Sequence, residues 1–206
     1  MAPTQPFIRH ARREDVPAIL DLIKELADYE KELSSVEATE AKLLSTLAFA
    51  PSTPAAANPS TPTNEHGDDG GPTPGQLPVT DPITPTAPAR CLLLFPNPTA
   101  AATDKPVGMA LYFYNYSTWR AKAGIYLEDL YVTPAERNKG HGKRLLVALA
   151  KEVVAMDGGR LDWSVLKWNE PSIRFYEDVV GATRMEEWVG MRVDREALGK
   201  LATMLD

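Results

Sequence analysis

Between residues 51 and 88 the chain carries ten of its 18 prolines, with Ala, Thr, Ser and Gly filling much of the rest. Each proline removes a backbone donor, and the stretch holds little apolar mass to offset the entropy of ordering it. A disordered insertion is expected there, an expanded loop in preference to a Pro-rich ligand for a partner domain. "PNPTAAATDKP" at 96–106 reads as a second loop. The regular elements must lie on either side of these segments.

On the N-terminal side, "FIRHA" reads as a short strand and "EDVPAILDLIKELADYEKEL" as a helix. Val16, Ile19, Leu20, Ile23, Leu26 and Ala27 form its apolar stripe. Asp15 is the expected N-cap, and Pro17 sits in the first turn, where its missing N–H costs little. "EATEAKLLSTLAF" is a shorter helix candidate. After the insertion come the strands "RCLLLF", "VGMALYFYNY" and "GIYLEDLYV". The helix "GKRLLVALAKEVVAM" follows, with Leu145, Leu146, Leu149 and Val153 on one face. Then come the strand "RLDWSVL" and the helix "EPSIRFYEDVV", which Gly181 can close in the left-handed conformation. "EEWVGMRV" has the pattern of a strand, and a last helix starts near Asp194. Strand pairs early and a β-α-β-α order late predict an α/β (α+β) fold, a mixed sheet with helices on its faces. At 206 residues a single domain spanning 1–206, interrupted at 51–88, is expected.

Apolar residues at 44% suffice for a sizeable core. The formal charge of −6 argues against general nucleic-acid binding and favours cationic partners. The lone Cys91 cannot form an intrachain disulfide; a buried thiol in a reducing compartment fits. His10, His66 and His141 lie far apart and show no metal-ligand spacing. There is no apolar signal core and no run of the roughly 20 apolar residues of a membrane span. A soluble cytoplasmic protein is expected, without metal, membrane or nucleic-acid partners.

The stretch "VTPAERNKGHGKRLL", residues 132–146, invites a phosphate. It is not a nucleotide-hydrolase loop. Arg144 stands where that loop needs Ser or Thr, and Arg137 where it needs its first glycine. It is not a dinucleotide fingerprint either, because Leu145 replaces the third glycine. What remains is Arg-x-x-Gly-x-Gly between a strand and a helix. Glycines admit a close anion, and the helix start offers free N–H groups and a positive dipole end. An ordinary glycine turn with solvated cations satisfies the same residues.

Arg-x-x-Gly-x-Gly after "YLEDLYV" resembles the acetyl-CoA pyrophosphate loop of the GNAT N-acetyltransferases. "FIRHARREDVPAILDLIKELADYE", "YSTW", "IYLEDLYV", "KWNEPSIRFYEDVVGA" and "EEW" also resemble one branch of them, in order. That branch holds the diamine (spermidine/spermine) and thialysine N-epsilon-acetyltransferases. The resemblance covers nearly the whole chain except residues 50–105. It departs from the family at Asn138, where glycine is usual, and at Lys139 and His141, where small or apolar residues are common.

N-acetylation requires an amine to lose its proton, from a pKa near 10. It also requires donors for the developing oxyanion and a proton for the leaving thiolate. Glu128 and Asp129, adjacent on a strand, are expected on opposite faces. The resemblance implies Glu128 as a water-mediated base and substrate contact, and Asp129 as a cation anchor. It implies that the backbone of Leu130, Tyr131 and Val132 holds the pantetheine arm. The loop residues Arg137, Asn138, Lys139, Gly140, His141, Gly142 and Lys143 would hold the pyrophosphate. Asn169 and Ser172 would be further acetyl-CoA contacts. Tyr176, a core or boundary aromatic by periodicity, matches the family's proton donor to the thiolate and a cofactor contact. Tyr29, Glu30, Trp119 and Trp188 match residues lining the amine site, where a cation gains from an aromatic face. The resemblance implies acetyl-CoA as co-substrate, a small cationic amine as acceptor and a homodimer. A protein lysine or N-terminal acetyltransferase and a non-catalytic acyl-CoA-binding module are the alternatives.

Overall fold

The computed structural model describes residues 5–52, 76–97 and 105–205. They form two compact units, Met1–Ser164 and Val165–Asp206.

The first unit is built on a five-stranded sheet in the order β1 (Phe7–His10), β2 (Ala89–Phe95), β3 (Gly108–Ser117), β4 (Lys122–Val132), β5 (Leu161–Trp163). Neighbours are antiparallel except β4 and β5, which run parallel. Helices α1 (Val16–Tyr29), α2 (Glu40–Thr46) and α3 (His141–Ala155) flank the sheet. The sheet is mixed and helix-flanked, as the element order predicts, and mostly antiparallel.

The continuous apolar run of β2 reflects burial on both faces. Cys91, Leu93 and Phe95 join Val16, Ile19 and Leu43 of α1 and α2 in one core. The alternate residues Leu92 and Leu94 are equally buried and face the α3 side. There, a Cβ on Gly108, which pairs with Leu94, would stand 3.6 Å from Leu145 of α3. Each fully buried aliphatic side chain of this kind contributes about 1.5–3 kcal/mol.

The α3 side also holds a buried polar network. Glu152 is fully buried and accepts hydrogen bonds from the Tyr112 hydroxyl at 2.7 Å and the Tyr114 hydroxyl at 2.6 Å. Arg90 donates to the Tyr114 hydroxyl at 2.6 Å, and His10 Nε2 lies 2.9 Å from that of Tyr112. Burial, then the Arg90 charge, pushes the His10 pKa down to about 4.

Asp15 does not cap α1 through its side chain. A 3₁₀ turn, Arg13–Asp15, precedes the helix, and the Asp15 carboxylate accepts the Arg12 N–H at 2.7 Å. The same carboxylate receives the Arg9 guanidinium at 2.6 and 2.9 Å. A bidentate cation is a stronger partner than a neutral N–H of the helix start, and it draws the carboxylate one turn earlier. Thr39 does cap α2, accepting the Lys42 N–H at 3.2 Å.

Residues 53–75, most of the Pro-rich insertion, lie outside the described residues. The returning part is seated on the first unit. Asp81 N–H donates to the Phe49 carbonyl at 2.8 Å, Arg13 pairs with Asp81 at 2.9 Å, and Arg90 Nε donates to Thr80 at 2.7 Å.

The second unit begins with α4 (Glu170–Arg174), which continues as a π-helical turn, Phe175–Val180. Gly181 closes it at φ 77°, the left-handed conformation expected of it. "EEWVGMRV" forms no strand; the segment from Ala182 to Asp194 has no regular structure before α5 (Arg195–Ala202). Alternation gives a strand only where a neighbour completes the hydrogen-bond ladder, and none pairs with it among the described residues.

Candidate active site

The site begins with an irregularity in β4. Leu111 pairs with Asp129 and Tyr112 with Leu127, so Glu128 is the extra residue of a β-bulge. A bulge resets the alternation of the strand. Leu127 sits with Tyr112 on the α3 side, whereas Asp129 sits with Leu111 and Tyr131 on the α1 side. Pairing with β5 ends at Leu127, so among the described residues the edge from Glu128 to Val132 has no strand partner on that side.

Three carboxyl groups meet near the bulge. Burial, then the charges of Glu128 and Glu30, pushes the Asp129 pKa up to about 6. Glu30, the residue that ends α1, also has its pKa raised by burial. Glu128 is exposed. Beneath them Cys91 is wholly buried, and burial followed by the charges of Asp129 and Asp15 pushes its thiol far up. A half-buried acid among other acids favours a cation as its partner.

The strand leads through a 3₁₀ turn, Pro134–Glu136, into the loop. Asn138 at φ 62° and Gly140 at φ 79° are both left-handed, turning the chain sharply into α3 at His141. The first N–H groups of a helix have no carbonyl within it to bond. Here Arg144 is the first to find one, the Gly140 carbonyl at 3.1 Å. The preceding N–H groups, with Lys143 and Arg144, suit a polyphosphate. Lys143, Arg144 and Lys151 also line a cleft of about 360 Å³ floored by Pro6 and Ile8.

Two loop cations are already engaged. Glu136 binds Lys139 at 2.9 Å with one oxygen and His141 Nε2 at 3.2 Å with the other. The Lys139 hydrogen bond, above all, lowers the Glu136 pKa. Arg137 stacks on Tyr29 and Tyr131, 5.0 and 5.6 Å from the ring centroids, and donates through Nε to the Val132 carbonyl at 3.0 Å.

Thus Tyr29, Glu30, Glu128, Asp129, Leu130, Tyr131, Val132 and the 137–143 loop gather at one end of the sheet. Trp119 does not join them. It is 89% exposed in the turn between β3 and β4. Seven residues of extended strand, ~23 Å, separate Lys122 from Asp129. In the second unit, Asn169 caps α4, accepting the Ser172 N–H at 3.4 Å, as its position predicts. Tyr176 lies in the π-helical turn, its ring centroid 5.4 Å from that of Phe175. Such turns are frequent at functional sites. Trp188 is exposed.

Sequence reasoning passed over Glu136, Glu25 and the Tyr131 ring. Burial, then the charge and hydrogen bond of Glu25, raises the Tyr131 pKa, and Arg137 opposes them. The available signal for Glu136 was its spacing, three residues before Lys139 and five before His141. Among the described residues no group of three or more His, Cys, Asp or Glu side chains is placed to hold a metal ion. No helix among them is long and apolar enough to cross a membrane.

Comparison with known proteins places the chain in a family. Residues 72–182, more than half the chain, match the model of the acetyltransferase (GNAT) family. The L-ornithine N5-acetyltransferase of Arabidopsis thaliana is 43% identical over 91 residues, which cover 44% of this chain and 40% of that protein. The match thus spans less than half of that relative. The thialysine N-epsilon-acetyltransferase of Bos taurus is 32% identical over 203 residues, covering 95% of this chain and 96% of that one. Among solved structures, an integron cassette protein of V. cholerae superposes with a TM-score of 0.64 at 20% identity, covering 96% of this chain and 98% of that one. That likeness carries the fold alone. The family match and the bovine relative go further, and the chain belongs to the GNAT family of acetyltransferases.

Proposed function

We propose that the protein transfers the acetyl group of acetyl-CoA to a primary amine of a small cationic substrate. The acceptors that fit are diamines, polyamines and lysine-like amino acids such as ornithine or thialysine. The observation that carries this is the half-buried Asp129 carboxyl, flanked by Glu30 and Glu128, beside an open strand edge and a phosphate-suited loop. An acidic cluster of this kind gains by receiving an ammonium group. The relatives named above act, by their names, on ornithine and thialysine, each of which carries two amino groups.

Bound acetyl-CoA supplies an electrophilic thioester carbon and a thiolate leaving group. In the proposed mechanism, the N–H groups of the 138–143 loop, with Lys143, hold its pyrophosphate. Asn169 and Ser172 are further contacts. The open edge of Leu130, Tyr131 and Val132 holds the pantetheine arm, and one N–H there polarises the thioester oxygen. Asp129 and Glu30 bind the ammonium end of the acceptor that does not react. Glu128 takes the proton of the reacting amine through water, and Tyr176 protonates the departing thiolate. Tyr29, Trp119 and Trp188 line the amine site. Trp119, outside the cluster of its own protomer, would serve it from a second copy.

A homodimer and a cytoplasmic location belong to the same proposal. Support for the dimer comes from exposed Trp188, Val189 and Met191 in a segment with strand-like alternation. Light scattering during size-exclusion chromatography tests it.

A thiol-release assay with acetyl-CoA tests the activity against ornithine, thialysine, lysine, spermidine, putrescine and a Lys-containing peptide. Turnover is expected with at least one of the small diamines. Turnover with the peptide alone, or CoA binding with no turnover at all, overturns the proposal.

A further inference from the structure

Arg137 opens the Arg-x-x-Gly-x-Gly motif, yet its side chain is committed to the amine side of the site. The guanidinium lies over the ring of Tyr29, in the last turn of α1, and over that of Tyr131 in β4. Its Nε holds the carbonyl of Val132, the last residue of β4. Tyr131 in turn feels the charge of Glu25, which raises its pKa after burial does. Glu25 and Tyr29 are four residues apart and share one face of α1. Helix α1 thus meets the root of the loop at Tyr29, under the Arg137 guanidinium, and the residue after Tyr29 is Glu30 of the acidic cluster.

We infer that Arg137 is a positioning residue, clamped between Tyr29 and Tyr131, that couples the end of α1 lining the amine site to the acetyl-CoA loop. A planar guanidinium stacked on two rings fixes the orientation of the backbone that carries it, which a lysine ammonium would not do. The left-handed residues Asn138 and Gly140 follow directly, so the aim of the loop N–H groups depends on where Arg137 is held. Conversely, filling the amine site restrains Tyr29 and through it the loop. Coupling of this kind is reciprocal. The inference rests on the function proposed above.

The test uses the full-length protein and CoA as the titrant in calorimetry. Tyr29→Leu removes the stacking face without touching the loop. It should weaken CoA binding about threefold, the worth of one exposed cation–π contact. Tyr29→Phe keeps the face and should restore the wild-type affinity. Arg137→Lys keeps the charge and loses the planar stack. With acetyl-CoA saturating, it should raise the KM for thialysine or spermidine, whichever is turned over. Circular dichroism and thermal melting establish that each variant is folded; should Tyr29→Leu not fold, Arg137→Lys and Tyr29→Phe decide the matter. Wild-type protein that binds CoA, with Tyr29→Leu at unchanged affinity or Arg137→Lys at unchanged amine KM, overturns the coupling alone. Wild-type protein that binds no CoA overturns the proposed function itself.

Discussion

Leu127 and Asp129 are two residues apart on β4, yet Leu127 faces α3 and Asp129 faces α1. In a regular strand they would share a face. The bulge at Glu128 separates them. It puts Asp129 among acids and beneath helix α1, and it leaves Glu128 exposed at the unpaired edge.

Asp129→Asn should separate stability from activity. Ionised Asp129 is held with its pKa raised from 3.8 to about 6, so at pH 7.5 the charged form costs about 3 kcal/mol. The amide removes that cost and is expected to raise the stability in urea by about 2 kcal/mol. The same change removes a partner of the cationic acceptor, so the amine KM should rise at least tenfold. In wild-type protein that KM should also rise as pH falls below about 6 and Asp129 takes up its proton.

Between pH 4 and 6 the contributions of His10 and Asp129 to stability should oppose one another. His10 has its pKa lowered from 6.5 to about 4, so its contribution is complete above pH 6.5 and is lost as pH falls towards 4. Asp129 has its pKa raised, so the folded state gains as pH falls from about 6 towards 3.8. The two changes are each about 3 kcal/mol and opposite in sign. In Asp129→Asn the compensation is gone, and Tm should drop steeply on acidification from pH 6.5 to 4. A flat profile in that variant would refute the assignment.

Glu152→Ala removes the shared acceptor of the Tyr112 and Tyr114 hydroxyls and the carboxylate facing the buried Arg90 charge. A loss of about 3–5 kcal/mol is expected, because removing one partner leaves the other charge uncompensated. Glu152→Gln keeps an acceptor and should cost less than half as much. Chemical denaturation of the two variants checks the order.

Tyr176→Phe should lower kcat tenfold or more, the scale of a lost general acid, with CoA affinity within about twofold. Steady-state kinetics and calorimetry together decide this. An unchanged kcat removes the acid role.

Much of the fold was legible because its signals are local. The apolar stripe of α1, the continuous run of β2 and the Gly140 turn each dictate their structure over a few residues. What could not be read depends on partners distant in sequence. No residue type around Glu128 marks a bulge; it exists because β3 and β4 pair from both ends in registers one residue apart. Asp15 stands at the N-cap of α1 but its carboxylate turns away from the helix N–H groups, because Arg9, six residues earlier, lies within reach. Glu136 reads as a solvated acid until the left-handed turns at Asn138 and Gly140 fold Lys139 and His141 back onto it. Glu152 was the exception with a visible signal, a carboxylate one residue from Val153 in an apolar helix face. Its meaning needed the tyrosines of β3.

The burial of Cys91 has a practical side. It is the chain's single cysteine, it is wholly enclosed, and its thiol is held far from ionisation. Thiolate, and not thiol, is what reacts with a disulfide dye. The folded protein therefore adds no colour of its own, and every equivalent of dye consumed in a turnover mixture counts one released molecule of CoA.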